Sequence, residues 1–130
     1  MRAQTIKVDE KVMAIIIKQL QRVGVTANLK GYEYLKSGIS ILLEDPSTIN
    51  RITKVLYPSI AKEHGATVSG VERGIRHAIE CVFSRNPGDD MEELLGGCVN
   101  SYTGKTTNSE FLSIMAENVR LEVGAYGRAN

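Results

Sequence analysis

The sequence has no tryptophan, and five tyrosines with two phenylalanines bring its aromatic content to only 5%. Proteins that grip single-stranded nucleic acid stack the bases on aromatic platforms, so that class is disfavoured. The chain is also poor in cysteine. Cys81 and Cys98 stand in no metal-ligand spacing and belong to no disulfide framework, and they read as reduced thiols packed in a cytosolic core. Long apolar runs are missing: Val12 to Ile17 is too short to span a bilayer and lacks the flanks and cleavage pattern of a signal peptide. The expected location is the cytoplasm, with no membrane partner. Charge of one sign is missing as well, since 16 Lys and Arg face 15 Asp and Glu for a net +1. A nucleic-acid partner would therefore need cations gathered on one face rather than an excess over the whole chain.

What the sequence does contain is helical periodicity. Its 130 residues can bury a core without staples, and no repeat, low-complexity stretch or long linker divides them, so residues 1–130 read as a single domain. A first helix is predicted over Asp9 to Val23, with Val12, Ile16, Gln19 and Val23 on one stripe and Gly24 as its C-terminal cap. A second runs from Asn28 to Glu44 and ends at Asp45-Pro46. A third stretch covers Thr48 to Leu56, and Pro58 kinks it or opens a fresh helix to His64, stopped by Gly65. Val71, Ile75, Ala78, Ile79, Val82 and Phe83 mark the inward stripe of a helix from about Thr67 to Arg85. A short acidic helix over Asp90 to Leu95 follows, then a loop from Cys98 to Thr106. Thr107 and Glu110 make a capping box for the last helix, whose core face is Phe111, Ile114, Met115, Val119 and Leu121. Beyond Val123 a loose tail is expected. Strand-type alternation is absent, and the predicted class is all-α.

The stretch from Pro58 to Glu80 carries the functional signal. Ala61 is small enough for two helices to cross closely, Gly65 permits a tight turn, and Val71 and Ile75 pin the second helix onto the first. This is the outline of a helix-turn-helix over about 58–85, with a recognition helix over about 68–85. Its outward residues are Ser69, Gly70, Arg73, Arg76 and His77. A major groove admits one α-helix, and an arginine there can take guanine O6 and N7 in a bidentate pair. The same outline also serves as a packing device in proteins that bind nothing, and Glu72–Arg76 and Arg76–Glu80 have the spacing of ordinary surface pairs. The pattern alone leaves both readings open.

Four ordered blocks resemble the DNA-binding effector domains of the stage 0 sporulation protein A family: Lys30 to Leu35, Ile52 to Lys62, Val71 to Glu80 and Thr107 to Phe111. The resemblance covers nearly the whole chain. It implies a compact six-helix domain that binds promoter boxes related to TGTCGAA, in tandem, and that contacts RNA polymerase through a sigma subunit. By position, Glu72 and Arg73 become the expected base readers, with Ser69, Gly70, Arg76 and His77 at the groove edge or on phosphates. The domain is expected to be a monomer in solution that pairs on DNA. The phosphorylatable receiver domain that accompanies this effector in the family has no counterpart in the chain. Four positions depart from the family: Gly70 replaces the usual arginine, Gly38 and Gly74 replace alanines, and Thr106 replaces a proline. The Gly70 change opens an alternative, an effector-like domain retained as a protein-interaction module without promoter-box specificity.

Other constellations point nowhere. Gly104-Lys105-Thr106 ends like a phosphate-binding loop, but Val99 stands where that motif needs glycine and no strand precedes it. His64 and His77 have no third ligand and read as surface residues, so no metal is expected. Cys81 is placed on the buried side of the recognition helix, away from nucleophilic chemistry. Asp89, Asp90, Glu92 and Glu93 read as acidic charge at a helix N-terminus, in the part that in the family faces the sigma subunit. No catalytic residue, enzyme activity or cofactor is called for.

Overall fold

A computed structural model describes residues 5–85 and 106–129, with side chains through residue 124. Five α-helices are present among the described residues: α1 (Glu10–Val23), α2 (Lys30–Glu44), α3 (Tyr57–His64), α4 (Val68–Arg85) and α5 (Asn108–Ala129). The short acidic helix expected over Asp90 to Leu95, with Asp89, Cys98 and the following loop to Lys105, lies outside the described residues. The class is all-α, without strands among the described residues.

Helix ends form where local chemistry satisfies the orphan backbone groups. Asp9 caps α1 by accepting from the Val12 amide at 2.9 Å, and Gly24 closes it in the left-handed conformation at φ 94°. The α2 C-terminus carries no basic residue in its last turn. Its carbonyls are served from elsewhere: Arg120 Nη2 of α5 donates to Leu42 O at 3.0 Å, and the Ile6 amide donates to Leu43 O at 2.7 Å.

The stretch expected as a third helix is not α-helical. It is a 3-10 segment, Pro46–Arg51, followed by a π turn, Ile52–Leu56. Pro58 explains the second of these. It has no N–H to give the carbonyl of Lys54, and its ring would crowd that carbonyl. The backbone widens instead, and Tyr57 N–H bonds to Ile52 O, five residues back.

α2 lies at the centre, packed against α1, α3, α4 and α5. Ile16, Leu35, Ile39, Leu43, Ile75 and Phe111 are among the fully enclosed side chains. The α2–α4 crossing is close enough to require glycine on both sides. A Cβ at Gly31 would collide with the Gly74 carbonyl oxygen, and one at Gly74 would sit 2.8 Å from the Tyr34 ring. Glycine in a helix costs about 1 kcal/mol relative to alanine, and here backbone contact offsets it. Gly38 is tight but less so, 3.1 Å from Leu112 and 3.3 Å from Ile60 by the same measure.

Two expectations for α5 are corrected. Leu121 is 64% exposed, and Leu112 and Ala116 take the enclosed positions beside Phe111, Met115 and Val119. The residues after Val123 continue the helix to Ala129 rather than forming a loose tail. Once a helix is established each added residue gains a hydrogen bond, so small residues can extend it.

Candidate nucleic-acid interface

α3 and α4 are joined by a short turn at Gly65, the arrangement expected of a helix-turn-helix. Pro58 sits in the first turn of α3, where a missing N–H costs nothing. At its end Gly65 adopts φ 63°, and both Gly65 and Ala66 amides donate to Ala61 O, Ala66 at 2.9 Å. Thr67 then opens α4: its hydroxyl accepts from the Gly70 amide at 3.0 Å, and its carbonyl accepts from the Val71 amide. Ile60, Val71 and Ile75 are 0% exposed and Ala61 is buried. The inward face of α4 is thereby set by non-directional apolar contact.

At 3.6 residues per turn, Ser69, Arg73, Arg76, His77 and Glu80 fall on one outward stripe, and all five are exposed. Gly70 and Glu72 flank it on opposite rims and are half-buried. The expected site residues thus share one side of α4, but they are not equally available. The Arg73 side chain makes no hydrogen bond or ion pair with any described residue. Arg76 Nη1 lies 3.3 Å from Glu72 Oε1, with the two side chains 51% and 46% exposed. An exposed i,i+4 pair is worth about 0.3–0.5 kcal/mol, against about 1–3 kcal/mol for a bidentate base contact. The pair is therefore weak enough for a duplex to exchange. Glu72 accepts from Arg76, whereas the Arg73 side chain has no partner among the described residues.

The cations Lys62, Arg73, Arg76 and Arg85 of α3 and α4 are nearly matched by Glu63, Glu72 and Glu80. Gly70 presents no side chain, and a Cβ there would lie 2.9 Å from the Thr67 hydroxyl that caps the helix.

Periodicity did not find a polar node behind this face. The Asn108 Nδ2 group, in the first turn of α5, donates to Tyr57 Oη and to the Glu72 carbonyl, both at 3.1 Å. Tyr57 is buried, and burial raises its phenol above the usual 10.0 while the Asn108 hydrogen bond pulls it partly back. The capping box next to Asn108 forms as predicted: Glu110 N–H donates to Thr107 Oγ1 at 3.1 Å, and Thr107 N–H donates to Glu110 Oε1 at 3.2 Å.

His64 is exposed, as expected, but it also tethers α3 to α2: Nε2 lies 2.8 Å from Ser37 Oγ and its ring meets Tyr34 edge-on at 5.4 Å. One smaller expectation changes. Cys81 is half-buried rather than enclosed, with Sγ 3.6 Å from His77 Nε2. It flanks the outward stripe because it follows His77 by one turn. Among the described residues no three His, Cys, Asp or Glu side chains gather as metal ligands would, and no helix is long and apolar enough to cross a membrane.

Residues 16–119 match the family model described as sporulation initiation factor Spo0A C terminal. The chain belongs to this family of DNA-binding effector domains of sporulation regulators, a regulatory family and not an enzyme family.

Proposed function

We propose that this member of the sporulation initiation factor Spo0A C-terminal family is a sequence-specific transcription regulator that lays α4 in the major groove of double-stranded DNA. The observation that carries the reading is Arg73, exposed and unpartnered among the described residues, one turn into a helix whose opposite face Val71 and Ile75 hold shut. Arg73 is the principal base reader. Glu72 is the second, reaching a cytosine N4 amino group once Arg76 exchanges its carboxylate for a phosphate. Ser69, Gly70 and His77 line the groove edge, where the Gly70 backbone can approach closely. The operators are boxes related to TGTCGAA, bound in tandem by a chain that is monomeric when free and acts in the cytoplasm. A sigma subunit of RNA polymerase is the protein partner.

The near balance of charge on α3 and α4 and the missing side chain at position 70 favour one alternative, an interaction module that has lost box preference. A titration against tandem-box and scrambled duplexes at two salt concentrations separates the two. Preference for the boxes, with affinity falling as salt rises, is the expected result. Equal binding to both duplexes, or none, would favour the alternative. A stable dimer of the free chain in light scattering would overturn the monomer assignment.

A further inference from the structure

Resting on the DNA-reading role of α4, we infer that Asn108 is a positioning residue for recognition: its amide fixes the roll of α4 and so the direction in which Arg73 is presented. Val71 and Ile75 hold α4 against α3 by apolar contact, which has no preferred direction. The Gly31–Gly74 approach sets how near α4 comes to α2, and such apolar and steric contacts fix spacing more strictly than direction. A hydrogen bond weakens steeply with misalignment, and Asn108 supplies two from one nitrogen. One goes to the Glu72 carbonyl on α4, the other to the Tyr57 hydroxyl on α3, both at 3.1 Å. A carbonyl only accepts, so the amide nitrogen must face Glu72. That leaves Tyr57 Oη as acceptor of the second N–H.

Both ends of this link are anchored. Tyr57 is 5% exposed, and the backbone beside Asn108 is held by the reciprocal Thr107–Glu110 bonds. Glu72 immediately precedes Arg73, at the rim between the buried and exposed stripes of α4. Asn108 stands 36 residues from Glu72 in the sequence, so a side chain far along the chain sets the recognition helix.

The test uses the whole chain and three variants. Asn108→Ala removes both bonds, Tyr57→Phe removes one, and Gln19→Ala breaks the 2.7 Å Gln19–Glu122 bond between α1 and α5 as a destabilised control. In Asn108→Ala the ratio of box to scrambled affinity should fall roughly 2- to 10-fold, the factor for one ordinary net hydrogen bond. Scrambled-duplex affinity and salt slope should stay unchanged. Tyr57→Phe should lose less, and Gln19→Ala should keep the wild-type ratio while unfolding at lower temperature. Hydrogen exchange of the free chain gives a readout that needs no DNA: amides 71–76 should exchange faster in Asn108→Ala than the rest of α4 does. An unchanged ratio in a protein whose wild type discriminates, or unchanged exchange at 71–76, would overturn the assignment. If the wild type itself discriminates nothing, the DNA reading fails instead, and exchange at 71–76 still decides whether Asn108 holds α4.

Discussion

The two faces of α4 obey opposite rules. Inward, Val71, Ile75, Ala78 and Val82 are fully enclosed, and at Gly74 the backbone approaches α2 so closely that a single methyl group would strike Tyr34. Outward, Ser69, Arg73, Arg76 and His77 meet solvent, and among the described residues the only ion pair these four make is the weak Arg76–Glu72 contact. One face is specified by volume and tolerates almost no change. The other is specified by what it leaves unpaired. A helix can therefore be a fixed strut and an adaptable reading head at once, because its 3.6-residue period separates the two demands.

Substitutions on each face should fail in different assays. The largest effect is expected inside: Ile75→Ala should cost about 2–5 kcal/mol of stability in denaturant unfolding, as lost burial and a cavity add together. Gly31→Ala should cost about 1–3 kcal/mol by overpacking against the Gly74 carbonyl, and a stability equal to wild type would break the account of the crossing. At the border of the two faces, Thr67→Ala removes the α4 cap and should cost about 0.5–2 kcal/mol. Glu72→Gln, which frees Arg76, should change stability by no more than about 0.5 kcal/mol.

The smallest effect concerns pH. Burial raises the Tyr57 phenol above 10.0, so the folded chain favours the neutral form. That contribution is complete below pH 10 and is lost as pH climbs through the folded value. Unfolding midpoints followed from below to above pH 10 should fall less steeply in Tyr57→Phe. Parallel curves would show that Tyr57 does not couple to folding.

The same division explains what could be read from the chain. Helix ends are written locally, in Asp9 and Gly24, in Gly65, and in the Thr107–Glu110 box, and they match the structure. The inward stripe of α4 follows from spacing alone. The π turn before Pro58 is hidden, because the apolar period of Ile52, Val55 and Leu56 suits an α-helix until the proline removes its donor. Gly31 and Gly74 read locally as helix weaknesses, and their value appears only when two helices cross. The His64–Ser37 and Asn108–Tyr57 contacts, 27 and 51 residues apart, have no period to announce them. At the candidate site, position on the outward stripe could be read, and spacing marked Arg76 as a paired candidate, but not that Glu72 rather than Glu80 takes it.

The most direct test is Arg73→Ala, with thermal unfolding and the affinity ratio for tandem-box over scrambled duplex measured on the same sample. The account predicts a ratio reduced by about 1–3 kcal/mol of discrimination, with stability within about 0.5 kcal/mol of wild type. An unchanged ratio in a stably folded variant would contradict the claim that the outward face of α4 reads DNA through Arg73.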